Sequence, residues 1–185
     1  MIDFTIALLA LLVIWPVLLV IYIWLTIANK GAGAFFLQER PGKDGKIFKV
    51  IKFKTMTDER DAEGNLLPDA DRLTKVGKFV RSTSIDELPQ LINVLKGDMA
   101  FVGPRPERKF YIDKIMEHDP RYRYLYQIRP GVTSYATLYN GYTDTMEKML
   151  RRLDLDLYYL EHRSWWFDAK ILFMTFVNIV FGKVF

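Results

Sequence analysis

The feature that most constrains this chain is a run without charge. From Phe4 to Ala28 there is no Asp, Glu, Lys or Arg over 25 positions. A helix rises about 1.5 Å per residue, so the run exceeds the roughly 30 Å hydrocarbon core of a bilayer and is expected to enter a membrane. A cleaved secretory leader is the competing reading, and Ala32-Gly33-Ala34 resembles a cleavage site. Against it, the residues ahead of the run include Asp3 and no Lys or Arg, and the run is too long for a leader's apolar segment. Pro16 lies near the middle, where it removes a backbone hydrogen bond and kinks or breaks the helix. Two geometries are open. One is a kinked span; the other is a re-entrant hairpin that bends at Pro16 and returns to the face it entered, with Trp15, Tyr22 and Trp24 at interfacial depths. Lys30 and the Lys/Arg-rich stretch after it put the polar remainder on the cytoplasmic side in either case.

That remainder is large enough for a core of its own. Of 185 residues, half are hydrophobic yet 26% are charged, which implies one lipid-facing part and one aqueous part. The expected division is a membrane-inserted helix over 1–30 and a cytoplasmic, membrane-associated domain over 31–185. A net charge of +4 suits an anionic partner, and the absence of cysteine excludes thiol chemistry and disulfides.

The polar part reads as α+β. Ala34–Glu39 and Ile47–Lys54 flank Pro41-Gly-Lys-Asp-Gly45, whose glycines suit a hairpin turn, and Lys52 and Lys54 share one face of the second strand. Thr57–Asp71 is polar with Gly64, Asn65 and Pro68, and reads as a loop. Leu73–Arg81 is a short basic helix or turn, and Phe110–Asp119 and Thr145–Tyr159 are helical. Arg121-Tyr-Arg-Tyr-Leu-Tyr126 alternates bases with aromatics, a pattern that also stacks single-stranded nucleic acid. In a chain that enters a bilayer, Tyr and Arg have a simpler use at the interface, so no nucleic-acid partner is expected. Trp165–Phe181 carries Asp168, Lys170 and Asn178, too short and too polar to span, and fits an interfacial helix against membrane lipids.

Opposed charges crowd into one stretch, Val80–Pro106. Leu88, Leu91, Ile92 and Leu95 recur at the spacing of one apolar helical face, and Gly97 is placed to end that helix. The predicted helix runs from Asp86 to Lys96, with Pro89 confined to its first turn. Asp86 and Glu87 then lie at an N-terminus that favours anions. Ser84-Ile-Asp-Glu87 also fits a capping box, in which the carboxylate only satisfies a backbone donor. Capping leaves Arg81, Asp98 and the proline-held Arg105 of Gly103-Pro-Arg-Pro106 unexplained. A second arginine, Arg129, is held by Pro and Gly in Ile128–Ser134, read as a loop that presents a guanidinium and N–H groups to phosphate, or as an ordinary Pro-Gly turn. The stretch is therefore expected to perform phosphoryl transfer beside a membrane.

Taken together, Arg40-Pro-Gly, Phe53-Lys-Thr-Met56, Arg81-Ser, Asp86-Glu-Leu-Pro-Gln-Leu91, Asn93-Val-Leu-Lys-Gly-Asp98-Met, Val102-Gly-Pro-Arg-Pro106 and Arg129-Pro-Gly-Val-Thr133 closely resemble the bacterial sugar transferases. The resemblance is to the small monotopic phosphoglycosyl transferases, without the extra N-terminal spans of the large subgroup. It implies transfer of a sugar-1-phosphate from a UDP-sugar to polyprenyl (undecaprenyl) phosphate at the cytoplasmic face of the bacterial inner membrane. UMP is released, and the step initiates assembly of a surface glycoconjugate. It also implies Mg²⁺ and a covalent phosphosugar intermediate, with Asp86 as nucleophile and Glu87 beside it. Both carboxylates are candidate metal ligands, and Arg81, Arg105, Arg129 and Lys54 are candidate phosphate contacts. Side chains at i and i+1 of a helix diverge by about 100°, which favours separate roles, one attacking phosphorus and the other holding the ion. The family's membrane helix breaks at a Ser-Pro pair; here Trp15 precedes Pro16. The loop after Arg129 usually continues Thr-Gly-Trp, where this chain has Thr133-Ser134-Tyr135. A non-catalytic, membrane-anchored nucleotide-sugar-binding or regulatory protein is the alternative.

Overall fold

The uncharged run forms one helix, α1 (Ile2–Ala28), unbroken through Pro16. The structure, a computed structural model, describes residues 2–141 and 143–181; the outer limits of the two predicted regions, Met1 and Phe185, lie outside the described residues. Among the described residues α1 is the helix long and apolar enough to cross a membrane. Its two halves differ. Leu9, Leu12, Val13, Trp15 and Val17 are each more than half exposed, whereas Ile21 and Leu25 are buried against Ala34, Phe53 and Val80, with Leu18, Val76 and Ile85 packed around them. Past its C-terminus, the buried Asn29 donates through Nδ2 to the carbonyls of Gly33 and Lys54, at 2.8 and 2.7 Å.

The chain packs as two compact units, Met1–Gln38 with Ile51–Ile92, and Glu39–Val50 with Asn93–Phe185. The predicted hairpin is present: β1 (Phe35–Pro41) and β2 (Ile47–Phe53) form a two-stranded sheet, and Asp44 and Gly45 turn its tip at φ of 57° and 70°. The expected loop over 57–71 is more ordered than its polarity implies. Isolated bridges pair Arg60 with Leu66 and Met56 with Leu73, and one helical turn, α2 (Asp69–Arg72), follows Pro68.

Helix α3 (Lys75–Ser82) is capped by Thr74, whose Oγ1 accepts from the Gly77 N–H at 2.9 Å. Gly77 lies hard against β2's exit; a Cβ there would sit 1.9 Å from the Thr55 carbonyl oxygen. Only glycine permits that approach.

The predicted helix over Asp86–Lys96 is two pieces. Ile85–Glu87 is a 3₁₀ turn, and the α-helix proper, α4, runs from Gln90 to Lys96. The cause is Pro89. It has no N–H to donate to the Ile85 carbonyl, which instead accepts from Leu88 at 3.1 Å, one residue tighter than an α turn. The capping box is also absent: Ser84 is left-handed at φ 55° and makes no side-chain cap bond. At the other end Gly97 takes φ 82°, with Gly97 N–H on Val94 O (3.0 Å) and Asp98 N–H on Asn93 O (3.0 Å), the paired bonds of a Schellman motif.

In the second unit β3 (Ala100–Val102) and β4 (Gly131–Thr133) pair in parallel, Ala100 opposite Gly131 and Val102 opposite Thr133. The Ile128–Ser134 stretch, expected as a loop or Pro-Gly turn, is thus partly strand. Between these strands lie α5 (Lys109–His118) and a 3₁₀ segment, Pro120–Gln127. After β4 come α6 (Tyr135–Asn140), α7 (Met146–His162) and α8 (Trp165–Val180). One core joins Ile112, Ile115, Tyr122, Leu125, Leu153 and Leu157; another joins Val102, Tyr159 and Ile171. On α8, Trp165, Trp166, Phe173 and Phe176 are left exposed.

Candidate active site

In the first unit the corner between α3 and the 3₁₀ turn presents Asp86. Ser84 makes that corner by adopting a left-handed backbone, which costs a non-glycine residue roughly 1–2 kcal/mol. A left-handed residue at a turn bearing two carboxylates marks that corner as a candidate site. Ile85, one residue ahead of Asp86, packs into the cluster that buries Ile21 and Leu25 of α1. The carboxylate is thereby fixed beside the C-terminal half of the apolar helix.

The electrostatics separate the two acids. Burial foremost, then the charge of Glu87, raises the Asp86 carboxyl to about 6; Lys52, Arg81 and a hydrogen bond to its own backbone pull the other way. Glu87 is held by an ion pair, Lys52 Nζ to Oε1 at 2.6 Å, with both side chains less than a quarter exposed. Arg81, in the last turn of α3, is exposed and close enough to act on Asp86 through space. These are the expected Asp86, Glu87 and Arg81 in one place, joined by Lys52. The sequence placed Lys52 on a strand face without a role; no local signal pairs it with a residue 35 positions away. Lys54 is engaged elsewhere, with Asp58 Oδ2 at 2.5 Å and the Ala32 carbonyl at 3.0 Å.

The other two arginines belong to the second unit, on neighbouring segments. Gly103 N–H donates to Thr133 O at 3.1 Å and Gly131 N–H to Pro104 O at 2.9 Å. A Cβ on Gly131 would lie 2.2 Å from the Gly103 nitrogen. The backbones carrying Arg105 and Arg129 are therefore in contact, and side chains at those glycines would separate them. Asp98 is occupied at the end of α4, accepting from Asn93 Nδ2 at 3.3 Å and pairing with Lys96 at 3.6 Å.

A divalent cation would find few protein ligands here. Among the described residues no three His, Asp or Glu side chains converge as a metal site. Asp86 and Glu87 offer two mutually repelling carboxylates, a donor set that fits Mg²⁺. That ion is commonly held by one or two carboxylates, with substrate phosphates and water completing its shell.

Residues 1–182 match the family model described as bacterial sugar transferase, and the chain belongs to that family. It is 44% identical over 153 residues to an uncharacterized sugar transferase, EpsL, of Bacillus subtilis, covering 83% of this chain and 73% of that protein. It is 42% identical over 184 residues to the UDP-glucose:undecaprenyl-phosphate glucose-1-phosphate transferase of Escherichia coli, covering 95% of this chain and 39% of that one. To the UDP-N-acetylgalactosamine-undecaprenyl-phosphate N-acetylgalactosaminephosphotransferase of Aeromonas hydrophila it is 35% identical over 182 residues, 97% of this chain and 43% of that protein. The chain thus spans well under half of the two relatives whose reactions are named.

Proposed function

We propose that this chain is a phosphoglycosyl transferase that moves a sugar-1-phosphate from a UDP-sugar to a polyprenyl phosphate such as undecaprenyl phosphate. The observation that carries the reading is the placement of Asp86: a half-buried carboxylate on a strained corner, flanked by Arg81 and Lys52, packed beside the apolar helix. The names of the relatives supply the substrate classes.

The chemistry runs in two displacements at one phosphorus. An ionised Asp86 oxygen attacks the sugar-bearing phosphorus of the diphosphate; the bond from that phosphorus to the UMP oxygen breaks, and UMP leaves with the electron pair. The lipid phosphate oxygen then attacks the same phosphorus and expels the Asp86 carboxylate, leaving polyprenyl diphosphosugar. Such reactions depend on orientation and on neutralising spread-out charge. Arg81 supplies a cation beside Asp86, and within the second unit Arg105 and Arg129 are the proposed phosphate contacts. Lys52 fixes Glu87 and favours ionised Asp86. With Asp86 as nucleophile, Glu87 would hold Mg²⁺, which when bound would supply charge neutralisation at the diphosphate.

The same reading puts α1 in the bacterial inner membrane with the polar residues on its cytoplasmic face, and lays the aromatics of α8 in the headgroup layer. A lipid acceptor then meets Asp86 at the depth where α1 emerges. The experiment is UMP release by the full chain with undecaprenyl phosphate across a panel of UDP-sugars. The reading expects turnover with at least one sugar and its loss, by about 10³-fold or more, in Asp86→Asn. Binding of UDP-sugar without any UMP release would leave a membrane-anchored binding protein instead.

A further inference from the structure

The reaction leaves one group of charges unused. Within the second unit, Arg152 of α7 donates through Nη1 to Glu107 Oε1 at 2.5 Å and through Nη2 to the Gly141 carbonyl at 3.1 Å. Arg40 of β1 reaches the same carboxylate from the other side, Nη1 to Oε2 at 3.5 Å, and donates to the Pro106 carbonyl at 3.1 Å. The three side chains are only 11–20% exposed. One helical turn beyond Arg152, Asp156 is 2% exposed, bonded to the Ala136 backbone, and electrostatically sensitive to Arg152, Glu107 and Arg105. Arg105, Glu107, Tyr122, Arg152 and Asp156 line one small internal cavity.

Removing that many charges from water is costly, and apolar residues of similar volume would often be as stable or more so. What the charges supply is geometry. Arg105 sits between two anchors. Upstream, the Gly131 N–H holds the Pro104 carbonyl; downstream, Arg40 holds the Pro106 carbonyl while Arg152 and Arg40 hold the next side chain, Glu107. Pro104 and Pro106 fix their own φ angles. The backbone of the segment is thereby left little freedom.

We propose that Glu107 and Arg152 are positioning residues, a buried clamp that holds the Pro104–Pro106 segment so that Arg105 meets the diphosphate of the nucleotide-sugar in one orientation. Preorganisation of this kind raises affinity by lowering the ordering cost of binding. The inference rests on the proposed function, because it takes Arg105 as a phosphate contact.

The test is a double-mutant cycle on the full chain, with UDP as the probe and KM for the UDP-sugar as a second readout. Glu107→Gln should weaken UDP binding and raise KM by about tenfold in the native background, with a smaller change in kcat. In an Arg105→Ala background the same substitution should change neither. Arg152→Lys, which keeps the charge but loses the second bond to Gly141, should show the same coupling with a smaller loss. Equal losses in both backgrounds, or none in either, would overturn the proposal. So would unfolding of both variants in thermal melts, which would make the clamp structural. If the unsubstituted protein neither binds UDP nor releases UMP, the functional reading falls first; if it does both and the cycle is additive, only this inference falls.

Discussion

Lys52 Nζ donates to Glu87 Oε1 at 2.6 Å, so the cation on β2 ties down the second carboxylate of the pair, while Asp86 feels it through space. The two acids thus differ in environment as well as position: one is restrained, the other is burdened by burial and by its neighbour's charge. Removing the ammonium takes away an interaction that favours ionised Asp86. In Lys52→Met the acid limb of the kcat/KM profile, expected near pH 6 in the native protein, should move to higher pH, together with a fall in the plateau. A profile of kcat/KM from pH 5 to 9 for both proteins checks this.

Backbone proximity makes a second prediction. A methyl group at Gly131 would meet the Gly103 nitrogen at 2.2 Å and the Thr133 oxygen at 2.4 Å, atoms that no side-chain rotation can move away. Gly131→Ala should cost on the order of 3 kcal/mol, roughly a 10 °C fall in melting temperature for a chain of this size. UDP affinity should fall with it, because the Arg105 and Arg129 segments separate.

Much of the fold was legible. Pro41-Gly-Lys-Asp-Gly45 announced the hairpin, and the spacing of Leu88, Leu91, Ile92 and Leu95 with Gly97 announced α4 and its end. The parallel pair was not, because three-residue strands such as Gly131–Thr133 are too short to show a period, and the pairing depends on the contact of two glycines far apart in sequence. The turn that carries Asp86 and Glu87, expected as the start of an α-helix, is 3₁₀ because Pro89 has no N–H for the ladder. The sequence marks Thr145–Tyr159 only as helical, with mixed charge. Only the three-dimensional packing turns Arg152 and Asp156, four residues apart on one face, toward the interior.

Asp156 makes stability depend on pH. Burial raises its carboxyl from the ordinary 3.8 to about 8, so between those values the folded chain holds a proton that the unfolded chain has released. Its contribution to stability is therefore full below about pH 4 and is lost as pH rises through 8. Asp156→Asn has no such proton to lose. The melting temperature of the native protein relative to this variant should decline steadily from pH 5 to pH 9.

The membrane arrangement is open to a labelling test, helped by a chain that contains no cysteine. Single cysteines at Asp3 and Lys30 flank α1. α1 runs unbroken through Pro16; if in the membrane it bends there and returns to the face it entered, impermeant reagent added to intact cells misses both sites and both react after lysis, and Pro16→Leu favours a straight span. Reaction of the Asp3 site in intact cells expressing the native Pro16 would mean that α1 crosses.

Whether Asp86 carries the phosphosugar, as proposed, is decided by the mass of the full chain after incubation with a UDP-sugar and no lipid acceptor. The expected result is one added sugar-phosphate on the peptide containing Asp86, UMP released at no more than one per chain, and neither in Asp86→Asn. Parallel double-reciprocal lines are also expected once acceptor is varied. An unmodified chain, no acceptor-independent UMP and converging lines would contradict the proposal, leaving direct transfer between two bound substrates with Asp86 as a base or a metal ligand.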